Sequence, residues 1–134
     1  MIIAGLGLKP DCPPADLLVL IEQARLACAE GRIDALAAPA FRRDAPGLAA
    51  AAKALALPLL LIDDAALASV QPLCPTRSAR ALAETGFASI AEAVALSAAG
   101  PGAELILPRI AGGAATCALA RSAEVASPSA SEGI

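Results

Sequence analysis

The sequence predicts an α/β fold, with three α/β/α layers around a mixed, mostly parallel sheet of about five strands. Short apolar runs alternate along the chain with segments of helical periodicity, which is the order expected of helices packed on a sheet. Residues 86–100 form a segment with small or apolar side chains on nearly every helical face, as in a helix that is buried. The chain has 134 residues and is 57% hydrophobic, enough for one domain with a real core.

The elements are predicted from local patterns. Strands are expected at residues 2–4, 33–38, 58–62, 103–107 and 116–120, and helices at 15–30, 48–55, within 76–85 and at 86–100. Residues 58–62 form a continuous apolar run of the kind buried on both faces. The connections are predicted as a tight turn at 5–7, an irregular segment at 65–75 and a hairpin loop at 108–113 that joins two antiparallel strands. We expect one domain over residues 1–121 and a mobile tail at 122–134.

The helix at 86–100 has both ends marked. Ser89 and Glu92 have the spacing of a capping box, in which each side chain accepts a hydrogen bond from the other residue's backbone N–H. Gly100 suits the end of a helix and Pro101 prevents its continuation. A nucleophile and its base are the alternative for Ser89 and Glu92, but capping explains both residues more simply.

The composition argues against several functions. Histidine, Trp and Tyr are absent, no Cys-x-x-Cys pair occurs, and the net charge is −3. These features argue against a metal site, a nucleic-acid platform and a resident cofactor. No apolar run is long enough for a membrane span, and residues 1–3 do not resemble a signal peptide. The four scattered cysteines are predicted to be packing residues or inert thiols of a cytoplasmic protein.

Several polar residues follow predicted strands, at the edge of an open α/β sheet where ligands collect. Gly5 and Gly7 follow the first strand, but the third glycine of a dinucleotide-binding motif is missing, so a tight turn is favoured. Lys9 lies beside them. Arg42 and Arg43 follow the second strand and are either a fork for carboxylates or solvated surface charges.

Two further groups have both a local and a functional interpretation. Thr76 and Ser78 precede a short helix and would either cap it or hold an anion, and Arg77 and Arg80 lie three residues apart. The pair at positions 63 and 64, both aspartates, is assigned to turn chemistry rather than to a metal or acid–base site.

Gly86 followed by Ser89-Ile90-Ala91-Glu92-Ala93-Val94-Ala95-Leu96 resembles the motif of the CobE family, which matches the C-terminal domain of CbiG in cobalamin biosynthesis. The resemblance extends over residues 2–121. It includes Gly5-x-Gly7, the Thr76-Arg77-Ser78 segment and a strand at 104–109 that ends in Arg109, where the family often has Lys. The family's first turn is usually basic and rich in hydroxyls, and its second loop usually has a Thr and a Lys; Leu8 to Cys12 and Ala38 to Arg43 depart from this.

The resemblance implies a cobalamin biosynthesis protein that binds a corrinoid or precorrin intermediate, as a carrier or accessory factor. CbiG opens a lactone ring of a cobalt-corrin precursor, so a hydrolase-type enzyme acting on a precorrin remains an alternative, as does a module that docks on a pathway enzyme. Enzymatic activity and homodimer formation are left open. The candidate ligand-binding residues are Gly5, Gly7, Lys9, Arg42, Arg43, Thr76, Arg77, Ser78, Ser89, Glu92 and Arg109.

Overall fold

A computed structural model describes residues 1–123 of the chain. The strands are β1 (Ile2–Leu8), β2 (Ala35–Pro39), β3 (Leu59–Ile62), β4 (Glu104–Gly112) and β5 (Ala115–Arg121). The helices are α1 (Pro14–Ala27), α2 (Pro46–Leu55), α3 (Asp64–Val70), α4 (Ala79–Thr85) and α5 (Ala91–Ala99), with short 3₁₀ turns at Ala40–Arg42 and Gln71–Leu73. The predicted tail lies outside the described residues, apart from its first two.

The strands form one mixed sheet in the order β3-β2-β1-β5-β4, which confirms the α/β fold class. β1 pairs with β2 and β2 with β3 in parallel, whereas β5 pairs antiparallel with both β1 and β4. Helices α1 and α2 pack on one face of the sheet, and α3 and α5 contribute to a separate apolar cluster on the other face. The predicted three-layer arrangement and the antiparallel pairing of the last two strands are therefore both present.

The first strand is longer than predicted, because Gly5 and Gly7 lie inside it rather than in a turn. Alternate residues of a strand point to opposite faces, and both glycines share the face that α5 covers. A Cβ at Gly5 would lie 2.1 Å from the carbonyl oxygen of Ala91 and 2.6 Å from the backbone nitrogen of Ala95. Gly5 thus allows α5 to pack directly against the backbone of β1, whereas a Cβ at Gly7 would lie 2.5 Å from Oγ1 of Thr116.

Two predictions for the middle of the chain are wrong. β3 lies at an edge of the sheet and Leu61 is 44% exposed, so this apolar run is not buried on both faces. Residues 64–70 form α3 instead of an irregular connection. Asp63 caps this helix by accepting a hydrogen bond from the N–H of Ala66 at 2.9 Å, and the fully buried Leu67 packs it against the core. The turn chemistry proposed for Asp63 is therefore helix capping.

The predicted hairpin loop at 108–113 is mostly strand, because β4 continues to Gly112. Pro108 is tolerated because β4 is the other edge strand, where a missing N–H need not break a ladder. The pairing with β5 shifts register between Leu105 and Leu107 and again between Leu107 and Ile110. Because the pairing is irregular around Pro108, Arg109 has no partner residue on β5, and its N–H is not used in the strand ladder.

Helix α5 is buried as predicted but begins later, at Ala91, and the capping box is wrong. Ile90 occupies the N-cap position without a side-chain hydrogen bond. The N–H of Ser89 donates to Oε1 of Gln71 at 3.1 Å instead of to Glu92. Gly86, with φ at 86°, ends the preceding helix α4. The two residues with capping-box spacing are therefore used for contacts with distant segments.

Candidate ligand-binding site

A cavity of about 260 Å³ lies at the carboxyl ends of β1 and β2, beside the hairpin that joins β4 to β5. Much of its lining is apolar, contributed by Leu8, Pro39, Phe41, Ala81, Ala88, Ile90, Ala111, Ala114 and Ala115. Hydroxyl groups are supplied by Ser78, Thr85 and Thr116. The cavity is therefore an open, mostly apolar depression at the edge of the sheet where α/β domains bind ligands.

Four cationic residues from separate segments line this cavity: Lys9, Arg42, Arg80 and Arg109. Lys9 follows β1, Arg42 follows β2, Arg80 belongs to α4, and Arg109 lies in β4. The lining also includes the carboxylate of Glu84. A chain with a net charge of −3 thus concentrates positive charge around one depression.

Arg42 is the cation that the fold holds most firmly. Its Nε donates a hydrogen bond to the carbonyl oxygen of Leu8 at 2.8 Å, and its guanidinium lies 5.0 Å from the centre of the Phe41 ring. Arg80 is held less firmly, because its contact with Glu84 at 3.3 Å is an exposed (i, i+4) pair. Helix α4, to which Arg80 belongs, has no buried residue.

Glu92 is fully buried next to the cavity and does not line it. Its Oε1 accepts a hydrogen bond from the N–H of Thr76 at 2.9 Å, and its Oε2 accepts one from the N–H of Arg109 at 3.0 Å. The hydroxyl of Ser89, a residue that is 4% exposed, also donates a hydrogen bond to Oε1, at 3.4 Å. The carboxylate thus connects α5 to two segments that border the cavity.

The candidate residues from the sequence divide into two groups. Those that line the cavity are Gly7, Lys9, Arg42, Ser78 and Arg109. Those placed elsewhere are Gly5 under α5, Arg43 on the exposed surface, Thr76 and Arg77 outside the lining, and Ser89 and Glu92 in the interior. Arg77 precedes α4, and its Nη1 donates to the carbonyl oxygen of Gln71 at 3.2 Å, whereas Arg80 reaches the cavity.

Several residues that line the cavity were not among the candidates from the sequence. Thr116 and Glu84 enter the lining through β5 and α4, and nothing in their local sequence marks them. Phe41 is one of only two aromatic residues and directly precedes Arg42, which was a usable signal. Ser78 does cap α4, accepting from the N–H of Ala81 at 3.1 Å, so its local role and its place in the lining coexist.

The four thiols form no disulfide. All four cysteines are free, and burial raises the pKa of the Cys117 thiol to about 12. Burial also raises the pKa of Cys12 and of Cys74. Within residues 1–123, no group of three His, Cys, Asp or Glu side chains is arranged to hold a metal ion. None of the helices in the same part of the chain has the length and apolar character needed to span a membrane.

The fold and the cavity define a small three-layer α/β domain with a cation-lined depression at its strand ends. The chain belongs to the family described as "Cobalamin synthesis G C-terminus", whose model matches residues 2–120. It is thus a protein of cobalamin (vitamin B12) biosynthesis, of the group formed by CobE and the C-terminal domain of CbiG.

Individual relatives agree with this assignment. Protein CobE of Sinorhizobium sp is 32% identical over 121 residues, which are 89% of this chain and 79% of that protein. The crystal structure of CobE, a protein from the cobalamin biosynthetic pathway, superposes with a TM-score of 0.82 at 37% identity, covering 90% of this chain and 89% of the other. The crystal structure of the cobalamin biosynthesis protein chiG from Agrobacterium tumefaciens str. C58 superposes with a TM-score of 0.74 at 31% identity. The superposition covers 92% of this chain and 99% of the other.

Proposed function

We propose that this domain binds a corrinoid or precorrin intermediate in the strand-end cavity and acts as a cytoplasmic carrier or accessory factor of the pathway. The observation behind the proposal is the convergence of Lys9, Arg42, Arg80 and Arg109 on one mostly apolar depression. Corrin precursors have many carboxylates around a broad apolar ring. Such a ligand matches both the charge and the apolar lining of the cavity.

Arg42 supplies the most specific contact in this proposal. Its Nε is occupied by the carbonyl oxygen of Leu8, whereas its two terminal nitrogens have no hydrogen bond within residues 1–123. A planar fork held in this way suits a carboxylate, because little side-chain entropy is lost on binding. The cavity volume of about 260 Å³ fits an edge of the macrocycle with its carboxylate side chains, and the rest of the ring would extend outward.

Binding is favoured over hydrolysis by the positions of the predicted nucleophile and base. A general base must come within hydrogen-bond distance of the group it deprotonates. Ser89 is 4% exposed and Glu92 is fully buried, and the carboxylate accepts two backbone N–H groups. Lys9 is exposed and lines the cavity as one of its cationic residues.

Titration with cobyrinic acid, followed by absorbance, tests the proposal. Cobinamide, which has amides in place of the carboxylates on a similar ring, is the matched ligand. We expect saturable binding of cobyrinic acid that weakens with added salt, and much weaker binding of cobinamide. Absence of saturable binding would overturn the proposal. Co-purification of a pathway enzyme without any chromophore would instead favour the alternative of a docking module.

The chain offers two matched pairs of variants for this titration. Arg42→Ala and Arg80→Ala remove cations that line the cavity, whereas Arg43→Ala and Arg77→Ala remove the same charge from neighbouring positions outside it. We expect roughly tenfold weaker binding for each of the first two variants. The two control variants should bind nearly as well as the wild type. Equal losses in all four variants would indicate nonspecific electrostatic attraction instead of a defined site.

A further inference from the structure

We propose that Glu92 is a positioning residue for this cavity and that it sets the placement of the cation-bearing segments on two of its sides. The inference rests on the proposed function, because it concerns the same ligand. Glu92 does not line the cavity and is fully buried. Its effect on a ligand would therefore pass through the two backbone groups that its carboxylate holds.

The geometry places Glu92 between two borders of the cavity. The N–H of Arg109 donates to Oε2 at 3.0 Å, and the side chain of Arg109 is one of the four cations in the lining. The N–H of Thr76 donates to Oε1 at 2.9 Å, two residues before the cavity-lining Ser78 that caps α4 and four before Arg80. One carboxylate thus fixes the segments that present two of the cations.

Both segments need such an acceptor because their own secondary structure provides none. Arg109 lies where β4 slips in register against β5, between Leu107 and Ile110. Thr76 lies between the 3₁₀ turn at Gln71–Leu73 and α4. A backbone N–H in such a place must find a side-chain or water acceptor. The attachment of α4 is otherwise weak, because this helix has no buried residue.

A carboxylate meets this requirement in a way that its amide cannot. Both oxygens of Glu92 accept a hydrogen bond, whereas Gln offers one oxygen and an NH₂ group. In a Glu92→Gln variant, the NH₂ group would face an N–H donor from Thr76 or from Arg109. We therefore expect one of the two borders of the cavity to separate from α5 while the helix itself remains packed.

The test compares affinity for two ligands in Glu92→Gln, with Ser97→Ala as the control variant. Ser97 belongs to the same helix, and its hydroxyl contacts the carbonyl oxygen of Ala66 on α3, away from the cavity. We expect Glu92→Gln to bind cobyrinic acid about tenfold more weakly and to change cobinamide binding little. Ser97→Ala should bind both ligands as the wild type does. A loss of equal size for both ligands would overturn the inference and leave Glu92 a purely structural residue.

A double-mutant cycle adds a second criterion. If Glu92 acts partly through Arg109, then Glu92→Gln should reduce affinity less in an Arg109→Ala background than in the wild type. Fully additive losses would contradict the inference. If Glu92→Gln does not fold, amide hydrogen exchange of the wild type is the alternative measurement. The N–H groups of Thr76 and Arg109 should exchange slowly. Fast exchange at both groups would overturn the inference. Failure of the wild type to bind cobyrinic acid is a separate result, which overturns the proposed function itself.

Discussion

The Nε of Arg42 donates a hydrogen bond to the carbonyl oxygen of Leu8 at 2.8 Å, and so joins the segment after β2 to the end of β1. These residues are 34 positions apart in the chain. The contact lies at the point where two parallel strands end side by side. Arg42 lines the cavity and has no acidic partner within residues 1–123, which leaves its charge available for a ligand.

Arg42→Lys should weaken the binding of cobyrinic acid although the charge is kept. A lysine has a single charged nitrogen and cannot hold the Leu8 carbonyl oxygen while also forming a two-point contact with a carboxylate. We expect a loss of about 1 kcal/mol in binding free energy, measured by titration. Arg43→Lys, a neighbouring exposed position outside the cavity, is the control. Equal affinity of Arg42→Lys and the wild type would show that only the net charge matters.

Ser78→Ala should loosen α4 with little effect on the rest of the domain. The Ser78 side chain accepts the N–H of Ala81 at 3.1 Å, and the helix has no buried residue to compensate for a lost cap. An N-cap of this kind contributes about 1 kcal/mol. Hydrogen exchange of the α4 amides should therefore become faster, and affinity for cobyrinic acid should fall because Arg80 belongs to this helix.

Asp63→Ala is the matched control for that experiment. Asp63 caps α3 in the same way, by accepting from the N–H of Ala66 at 2.9 Å, but α3 does not line the cavity. We expect faster exchange in α3 without a loss of affinity. If Ser78→Ala leaves both the exchange of α4 and the affinity unchanged, then the placement of Arg80 does not depend on the cap.

Gly5→Ala should strongly destabilise the domain. The added Cβ would lie 2.1 Å from the carbonyl oxygen of Ala91 and 2.6 Å from the nitrogen of Ala95, so α5 would have to move away from β1. We expect the free energy of unfolding, measured in urea, to fall by about 3 kcal/mol. At Gly112, the nearest atom to an added Cβ is a flexible Leu20 methyl carbon at 3.4 Å, so Gly112→Ala should have little effect. Equal stability of the two variants would contradict the close packing of α5 on β1.

The stability of the domain should decline at alkaline pH, in part because of Cys117. Burial raises the pKa of this thiol from 9.0 to about 12. Below pH 9 the thiol is protonated in both the folded and the unfolded chain, so its contribution is fully present. As the pH rises from 9 toward 12 the unfolded chain releases the proton first, and stability falls by up to about 1.4 kcal/mol per pH unit.

Cys117→Ala should flatten this decline, whatever its effect on absolute stability. Urea unfolding of the variant and the wild type at a series of pH values is the measurement. The two pH profiles should run parallel near neutrality and diverge above pH 9. Profiles that stay parallel throughout the alkaline range would show that Cys117 ionises equally readily in both states.

Much of the fold could be predicted from local patterns, as β1 and α5 illustrate. The alternation of Ile2, Ala4 and Leu6 with Gly5 and Gly7 is a strand pattern, although the glycines were interpreted as a turn. Gly5 instead allows the close approach of α5 to β1, and no local spacing reveals this contact. β3 illustrates the opposite case, since its apolar run indicated a buried strand and its position at the edge of the sheet depends on strand order.

The candidate site was predictable only in its location. Polar residues after β1 and β2 indicated the correct edge of the sheet, and Lys9, Arg42, Ser78 and Arg109 do line the cavity. Arg43 could not be separated from the adjacent Arg42, nor Arg77 from Arg80 three residues later, because the path of the folded backbone decides which arginine lines the cavity. Burial of a side chain is set by elements that are distant in the chain.

The sequence by itself determined the family, the α/β class and most of the helices and strands, because periodicity and turn residues act over a few neighbouring positions. Only the tertiary structure decided that Glu92 accepts the N–H groups of Thr76 and Arg109, which lie 16 and 17 residues away on opposite sides of it in the chain. The same is true of the gathering of four cations at one depression. Both depend on the order of the strands in the sheet, and contacts between segments distant in the chain establish that order.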